Sequence, residues 1–161
     1  MNFRNIVKYF YSHQDQIEAL IRISRWCSNL GLPGKVVSMI FDKLMLTMFG
    51  LEVTSSSIDV NRLIVGHSTG VVLGGNGIRC TGTLHVSSGV VFGRKYSANS
   101  VVEPDHFFDI DGNLTVGSNT VILGPSKIKG PAIIGAQSLV NGDILEPGVY
   151  VGCPAKKIRA L

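Results

Sequence analysis

Residues 110–145, written in sixes as IDGNLT, VGSNTV, ILGPSK, IKGPAI, IGAQSL and VNGDIL, carry the fold. Their first positions are Ile110, Val116, Ile122, Ile128, Ile134 and Val140, each aliphatic and β-branched. Their fifth positions are Leu114, Thr120, Ser126, Ala132, Ser138 and Ile144, mostly small residues that suit a tight inward corner. An antiparallel sandwich calls for alternation with a period of two. IKGPAI and ILGPSK do not alternate. A period of six with one stacked aliphatic column instead predicts a parallel β-helix, in which three short strands make a coil and each coil buries its column against the next. Working back from Phe92 in the same register reaches Val86 and Cys80, and one extra residue then leads to Leu73, so the repeat is interrupted. In residues 94–109, RKYSANSVVEPDHFFD, Ala98 and Pro104 are poor first-position residues, and the segment reads as a loop or as distorted coils.

Outward from that core the composition changes near Gly50. Only Gly31, Gly34 and Gly50 of the nineteen glycines precede residue 51, whereas seven of the twelve aromatics do. Ile17, Leu20, Ile21, Ile23 and Trp26 recur at helical spacing, and Val36, Val37, Ile40, Leu44 and Met48 do so again after Pro33. The first helix is expected to start at Ser12, with Asp15 three residues on, and to stop near Asn29 and Gly31; the second opens with Pro33 in its first turn. The expected organisation is a helical segment over residues 1–50 and a β-helix with a C-terminal tail over residues 51–161, a mainly β chain.

At 161 residues the chain has the size of one main unit, and with 45% hydrophobic and 16% charged residues it is too apolar to stay unfolded. A net charge of +4 suits a phosphorylated small molecule and does not by itself indicate nucleic acid, which is not expected as a partner. Three cysteines with no C-x-x-C pair give neither a disulfide framework nor a zinc knuckle, and a reducing compartment is expected. The N-terminal MNFRNIVKYFYSHQDQ lacks the apolar core of a secretory signal, which points to the cytoplasm. The apolar stretch of residues 36–51 contains Asp42 and Lys43 and is too short to span a bilayer, which leaves peripheral membrane contact open. No P-loop or G-x-S-x-G elbow occurs.

The order of paired helices, GLEVTSSSIDVNRLIVGHSTGVVLG, VSSGVVFG, TVGSNTVILG and a closing VGCPAKKIR resembles that of hexapeptide-repeat acyltransferases. The resemblance is to the serine acetyltransferase group and to related O-acetyltransferases of bacterial surface polysaccharides, and it covers nearly the whole chain. It implies a left-handed parallel β-helix, an exception to the right-handed crossover rule, acetyl-CoA as donor, and a homotrimer with sites between neighbouring coils.

His67 lies two residues after Val65, an inward position, so its side chain is expected to point off the wall. Acyl transfer from a thioester to an alcohol needs a base for the hydroxyl proton, and histidine titrates in the right range. The resemblance gives that role to His67 and pairs it with an acid fifteen residues earlier, here Glu52 in place of the usual Asp. Without the resemblance both would read as solvated surface groups. The resemblance also implies that the pantetheine arm passes Gly93, Ser118 and Ala136. Lys156, Lys157 and Arg159 either pair with the nucleotide phosphates or form a solvated basic tail.

On the acceptor side, the family's Asp immediately before the histidine is Gly66 here, and its Arg-His pair is absent: His106 lies one residue from that place, after Asp105. Gly66, His85 and His106 are the expected acceptor-binding positions. Loss of both charged anchors favours a neutral sugar hydroxyl of a surface polysaccharide or its precursor, with serine as the alternative and a non-catalytic β-helix scaffold as a second alternative. His67, at a third position, and His85, at a sixth, are not expected to share a face, which argues against zinc; no metal is expected.

Overall fold

The computed structural model describes residues 13–74, 77–95 and 108–161. Two helices, α1 (His13–Ser28) and α2 (Gly31–Phe49), lead into a β-solenoid. Ser12, the expected cap, lies outside the described residues. Pro33 falls in the first turn of α2, where its missing N–H is harmless. Gly50 ends α2 in the left-handed region at φ 64°, a conformation that favours glycine, and its N–H reaches the Leu46 carbonyl at 3.1 Å.

The strands are β1 (Leu51–Val53), β2 (Ile58–Val65), β3 (Val71–Leu73), β4 (Ile78–Val86), β5 (Val91–Arg94), β6 (Phe108–Asp111) and β7 (Leu114–Val116), then β8 (Val121–Gly124), β9 (Ser126–Lys129), β10 (Ala132–Ile134), β11 (Leu139–Val140), β12 (Gly148–Val151) and β13 (Lys156–Arg159). One wall stacks β1, β3, β5, β8 and β11, all parallel. A second wall stacks the later halves of β2 and β4 on β7, β10 and β12, and a third stacks their earlier halves on β6 and β9. β2 and β4 therefore each turn a corner between the second and third walls.

The six-residue period survives as burial. First positions Ile110, Val116, Ile122, Ile128, Ile134 and Val140 and fifth positions Leu114, Thr120, Ser126, Ala132, Ser138 and Ile144 are all buried. The fifth position is not the corner, which corrects the expectation. It sits two residues before the next first position on the same strand, as Leu114 does before Val116 in β7, so strand alternation turns both inward. The corner belongs to the residues between Val116 and Thr120, where Asn119 adopts φ 58° above Gln137 at φ 57° and below Gly89 at φ 67°.

Leu114 pairs with Ala132 eighteen residues on, but Leu84 pairs with Leu114 thirty residues on. The extra length falls in residues 94–109. Arg94 and Phe108 are already in strands at its two ends, and residues 96–107, with His106, lie outside the described residues. The segment leaves and rejoins the core at a fixed point, because Phe92 and Phe108 are both fully buried and meet edge to face with ring centroids 5.0 Å apart.

The helices share the solenoid's core: Ile17, Ile21 and Met45 belong to one hydrophobic cluster with Leu51, Ile58, Leu63 and Val65. A polar clamp reinforces it. Asp42 Oδ1 accepts from Ser24 Oγ at 3.0 Å and from Ser55 Oγ at 2.6 Å, while Oδ2 accepts from the Ser55 N–H at 3.1 Å. Ser24 Oγ also lies 2.8 Å from Ser38 Oγ. Ser24, Ser38 and Ser55 are buried, so water cannot replace these partners.

The walls differ outside. The third carries Asp59, Arg79, Asp109 and Lys127 in register, a ladder of alternating charge with Arg79 and Asp109 3.6 Å apart. The first carries Glu52, Val72, Val91, Val121 and Leu139, and the second Ile64, His85, Thr115, Ile133 and Val149. No helix among the described residues is long and apolar enough to cross a membrane.

Candidate active site

The corner from the second wall to the first sets the position of His67. In later coils this corner joins Val86 to Val90, Val116 to Thr120 and Ile134 to Ser138, four residues each, whereas Val65 and Val71 are six apart. Two added residues lift the segment 66–70 off the coil, and His67 is exposed on it. The lifted corner is anchored at both ends: Ser68 Oγ donates to the Phe49 carbonyl at 2.7 Å, Gly70 N–H to the Gly50 carbonyl at 3.0 Å, and Gly66 N–H to the Val86 carbonyl at 2.9 Å. A cavity of about 240 Å³ opens there, lined by His67 with Val65, Gly66, Ser68 and Thr69 and by Ile17, Met48 and Phe49 of the helices.

Glu52 is the outward residue of β1, two residues beyond Gly50, and is exposed. Its backbone is thus close to the His67 anchor, but its side chain lines a separate cavity of about 260 Å³ with Met39, Asp42, Lys43, Leu46, Val53 and Thr54. Among the described residues no hydrogen bond or ion pair joins Glu52 to His67.

Gly66 and His85 come together. A Cβ built at Gly66 would lie 3.4 Å from His85 Nε2, so the imidazole of His85, half-buried on the second wall, reaches the residue preceding His67. His85 stays on a wall and His67 on a corner, as position counting assigns them; the counting does not show the diagonal approach of His85 to Gly66 between adjacent coils. No group of three metal-ligating side chains occurs among the described residues.

Ser118 and Ala136 occupy the same corner as His67, one and two coils below Ser88, as the backbone bonds from Ser87 to Val116 and from Gly117 to Ile134 require. Ser88 Oγ lies 3.4 Å from Ser118 Oγ. Ser88 stands between His67 and Ser118 on this edge and was not singled out from sequence; its place in VSSG, aligned with VGSN, was the available signal. Gly93 is elsewhere: it faces outward near the far edge of the first wall, beside Leu123.

The corner ends in the turn of residues 152–155, held by Leu139 N–H to the Gly152 carbonyl at 2.9 Å and Ala155 N–H to the Leu139 carbonyl at 2.7 Å. The residues that follow form β13, antiparallel to β12, rather than a loose tail. Strand alternation puts Lys157 and Arg159 on one side and Lys156 on the other. Lys157 Nζ donates to Glu146 Oε2 at 2.6 Å. That bond holds the Glu146 carboxyl below its ordinary range and the Lys157 ammonium above its own.

A parallel β-helix of hexapeptide repeats preceded by two helices defines the class: the fold of the hexapeptide-repeat acyltransferases. Within that class the likeness is to serine acetyltransferases. The enzyme from Neisseria gonorrhoeae is 27% identical, with a TM-score of 0.72 over 88% of this chain and 53% of its own. The enzyme from Brucella abortus in complex with coenzyme A has a TM-score of 0.75 at 19% identity, over 91% of this chain and 56% of its own. The soybean enzyme complexed with serine has a TM-score of 0.68 at 21% identity, over 86% and 54%. The chain spans about half the length of these proteins. No family model and no curated protein sequence matches it.

Proposed function

We propose that the protein is an acetyl-CoA-dependent O-acetyltransferase with His67 as general base. The observation that carries the reading is His67 itself, raised on a corner two residues longer than those below it and opening on a cavity. Its imidazole takes the proton of the acceptor hydroxyl as that oxygen attacks the thioester carbonyl. The coenzyme A sulfur then leaves with the electron pair of the C–S bond and receives the proton from the imidazolium. Glu52 orients and charge-stabilises His67 once substrates are bound, since catalytic hydrogen bonds are often long in an empty site and tighten in the complex. The pantetheine arm follows the edge of Ser88, Ser118 and Ala136, which leaves Gly93, near the far edge of the first wall, off its path. The diphosphate lies towards Lys156, Lys157 and Arg159 at the base of the solenoid.

The serine acetyltransferases among the structural neighbours favour serine as acceptor over the sugar expected from sequence. The sugar reading keeps one specific observation in its favour: the residue before His67 is Gly66, next to the His85 imidazole, and among the described residues no carboxylate lines the His67 cavity to meet an ammonium group. His106 is assigned to the acceptor with them. The reading keeps the cytoplasm as the compartment, one in which acetyl-CoA is at hand. A homotrimer fits the outer surfaces, because the first wall below Glu52 carries Val72, Val91, Val121 and Leu139 and the second wall carries Ile64, Ile133 and Val149 beside His85 and Thr115, while the third wall is charged, and the His67 corner falls between the first two.

The test is thiol release from acetyl-CoA with serine, neutral hexoses and oligosaccharides offered in turn. Release with serine supports the main reading, release with a sugar alone supports the second, and none with any acceptor supports the scaffold. Sedimentation at micromolar concentration should give three times the chain mass; a monomer contradicts a site shared between copies.

A further inference from the structure

The turn between α1 and α2 leaves a large apolar surface that neither the core nor the proposed reaction uses. Leu32 is 80% exposed, Met39 65% and Trp26 64%, and Ile23, Leu30 and Val36 are exposed around them. The only buried residues of α2 are Gly34, Ser38 and Met45, so most of a nineteen-residue apolar helix faces outward. A helix apolar all round in a protein that does not bury it calls for a second apolar phase.

Charge identifies that phase. From Ala19 to Phe41 there is no acidic residue, whereas Arg22, Arg25 and Lys35 are basic. Arg22 and Arg25 are met by Glu18 and Asp59. Lys35 and Lys43 make no ion pair among the described residues. The one acid of α2, Asp42, turns its carboxylate inward to Ser24 and Ser55. The outward face of α2 is therefore mostly apolar, with Lys35 standing apart from any acid of the hairpin and Lys43 sharing a cavity with the exposed Glu52. A second copy docked on this face through a two-fold axis would set the same cationic surface against itself. An anionic lipid surface instead accepts the apolar side chains, satisfies both lysines and suits a tryptophan at the headgroup level.

We propose that the α1–α2 hairpin docks the protein peripherally on an anionic phospholipid bilayer, with Trp26, Leu32, Val36 and Met39 entering the interface and Lys35 and Lys43 meeting the headgroups. This holds whatever the acceptor is.

Trp26 is the sole tryptophan and so reports from the proposed contact. The full chain is mixed with phosphatidylcholine vesicles that contain phosphatidylglycerol, and separately with pure phosphatidylcholine vesicles. The expected result is a shift of Trp26 emission to shorter wavelength and co-sedimentation with the anionic vesicles, with several-fold weaker binding to the neutral ones and loss of binding in high salt. Lys35→Glu should weaken binding at least about fivefold, the size expected for one basic residue near such a surface. Leu32→Glu should weaken it further, and both side chains are exposed, so circular dichroism should be unchanged. The proposal is overturned by no binding, by equal binding to both vesicle types, by binding that neither substitution alters, or by an emission shift that follows protein concentration without vesicles. The last result would assign the face to a second copy.

Discussion

Replacing Asp42 by Ala tests whether polar bonds as well as apolar packing fix the helices to the solenoid. The substitution removes the acceptor of both the Ser55 N–H and Ser55 Oγ, while Ser24 Oγ keeps Ser38. Ser55 is fully buried, so its two polar groups stay dry. At about 1–3 kcal/mol for each buried polar group left unpaired, the expected loss is about 2–6 kcal/mol. With a urea slope of about 2 kcal/mol per M, the midpoint should fall by about 1–3 M with little change in slope. Asp42→Asn should lose less, because its carbonyl oxygen can still accept from Ser24 and Ser55 Oγ, although its amide group then faces the Ser55 N–H. Urea unfolding followed by circular dichroism supplies the midpoints, and hydrogen exchange at the Ser55 amide shows whether the loss is local. Unchanged midpoints and unchanged Ser55 protection in Asp42→Ala would refute the clamp.

Other expectations concern the edges of the molecule. Burial raises the Cys80 thiol above its ordinary range and Cys27 is buried, whereas Cys153 is exposed. A thiol reagent at neutral pH should thus find one fast group of the three, and three fast groups would contradict the packing. Glu146→Gln should bring the Lys157 ammonium back down towards its usual value, visible by NMR of Nζ. The pair's contribution is present above the unfolded carboxyl value and lost as acid titrates Glu146 through its lowered one. On the alkaline side it is present below the unfolded ammonium value and lost as Lys157 deprotonates through its raised one. Gly66→Asp should fold, since its Cβ makes only an ordinary contact with His85. If the residue before His67 selects the acceptor, the variant should gain serine turnover relative to sugar turnover, and an unchanged ratio would remove position 66 from specificity.

What could be read in the sequence follows from what is local. The inward columns recur every six residues, so burial from Ile110 to Ile144 is legible without coordinates. The same period hid the key corner. Val65 and Val71 are six apart and look like one more regular step, yet Val65 pairs with Val86 and Val71 stacks above Val90, so the spacing contains a four-residue corner with two residues inserted. The Asp42 clamp joins residues thirteen to eighteen apart, whose polar side chains have no periodic signature. The approach of His85 to Gly66 is diagonal between coils, and the pairing of β13 on β12 is set by a turn that the motif VGCPAKKIR marks only as an ending. In each case the missing information is a contact between distant segments.

The most direct test of the account is the acetyl-transfer rate of His67→Ala beside Glu52→Gln and the double variant, under saturating acetyl-CoA and acceptor. Removal of the general base should slow transfer by about a hundredfold or more while coenzyme A binding and circular dichroism persist. Glu52→Gln should cost less, and the double variant should be scarcely slower than His67→Ala, because members of one catalytic unit are not additive. Full activity in His67→Ala would contradict the account at its centre, and losses that multiply in the double variant would show that Glu52 acts apart from His67.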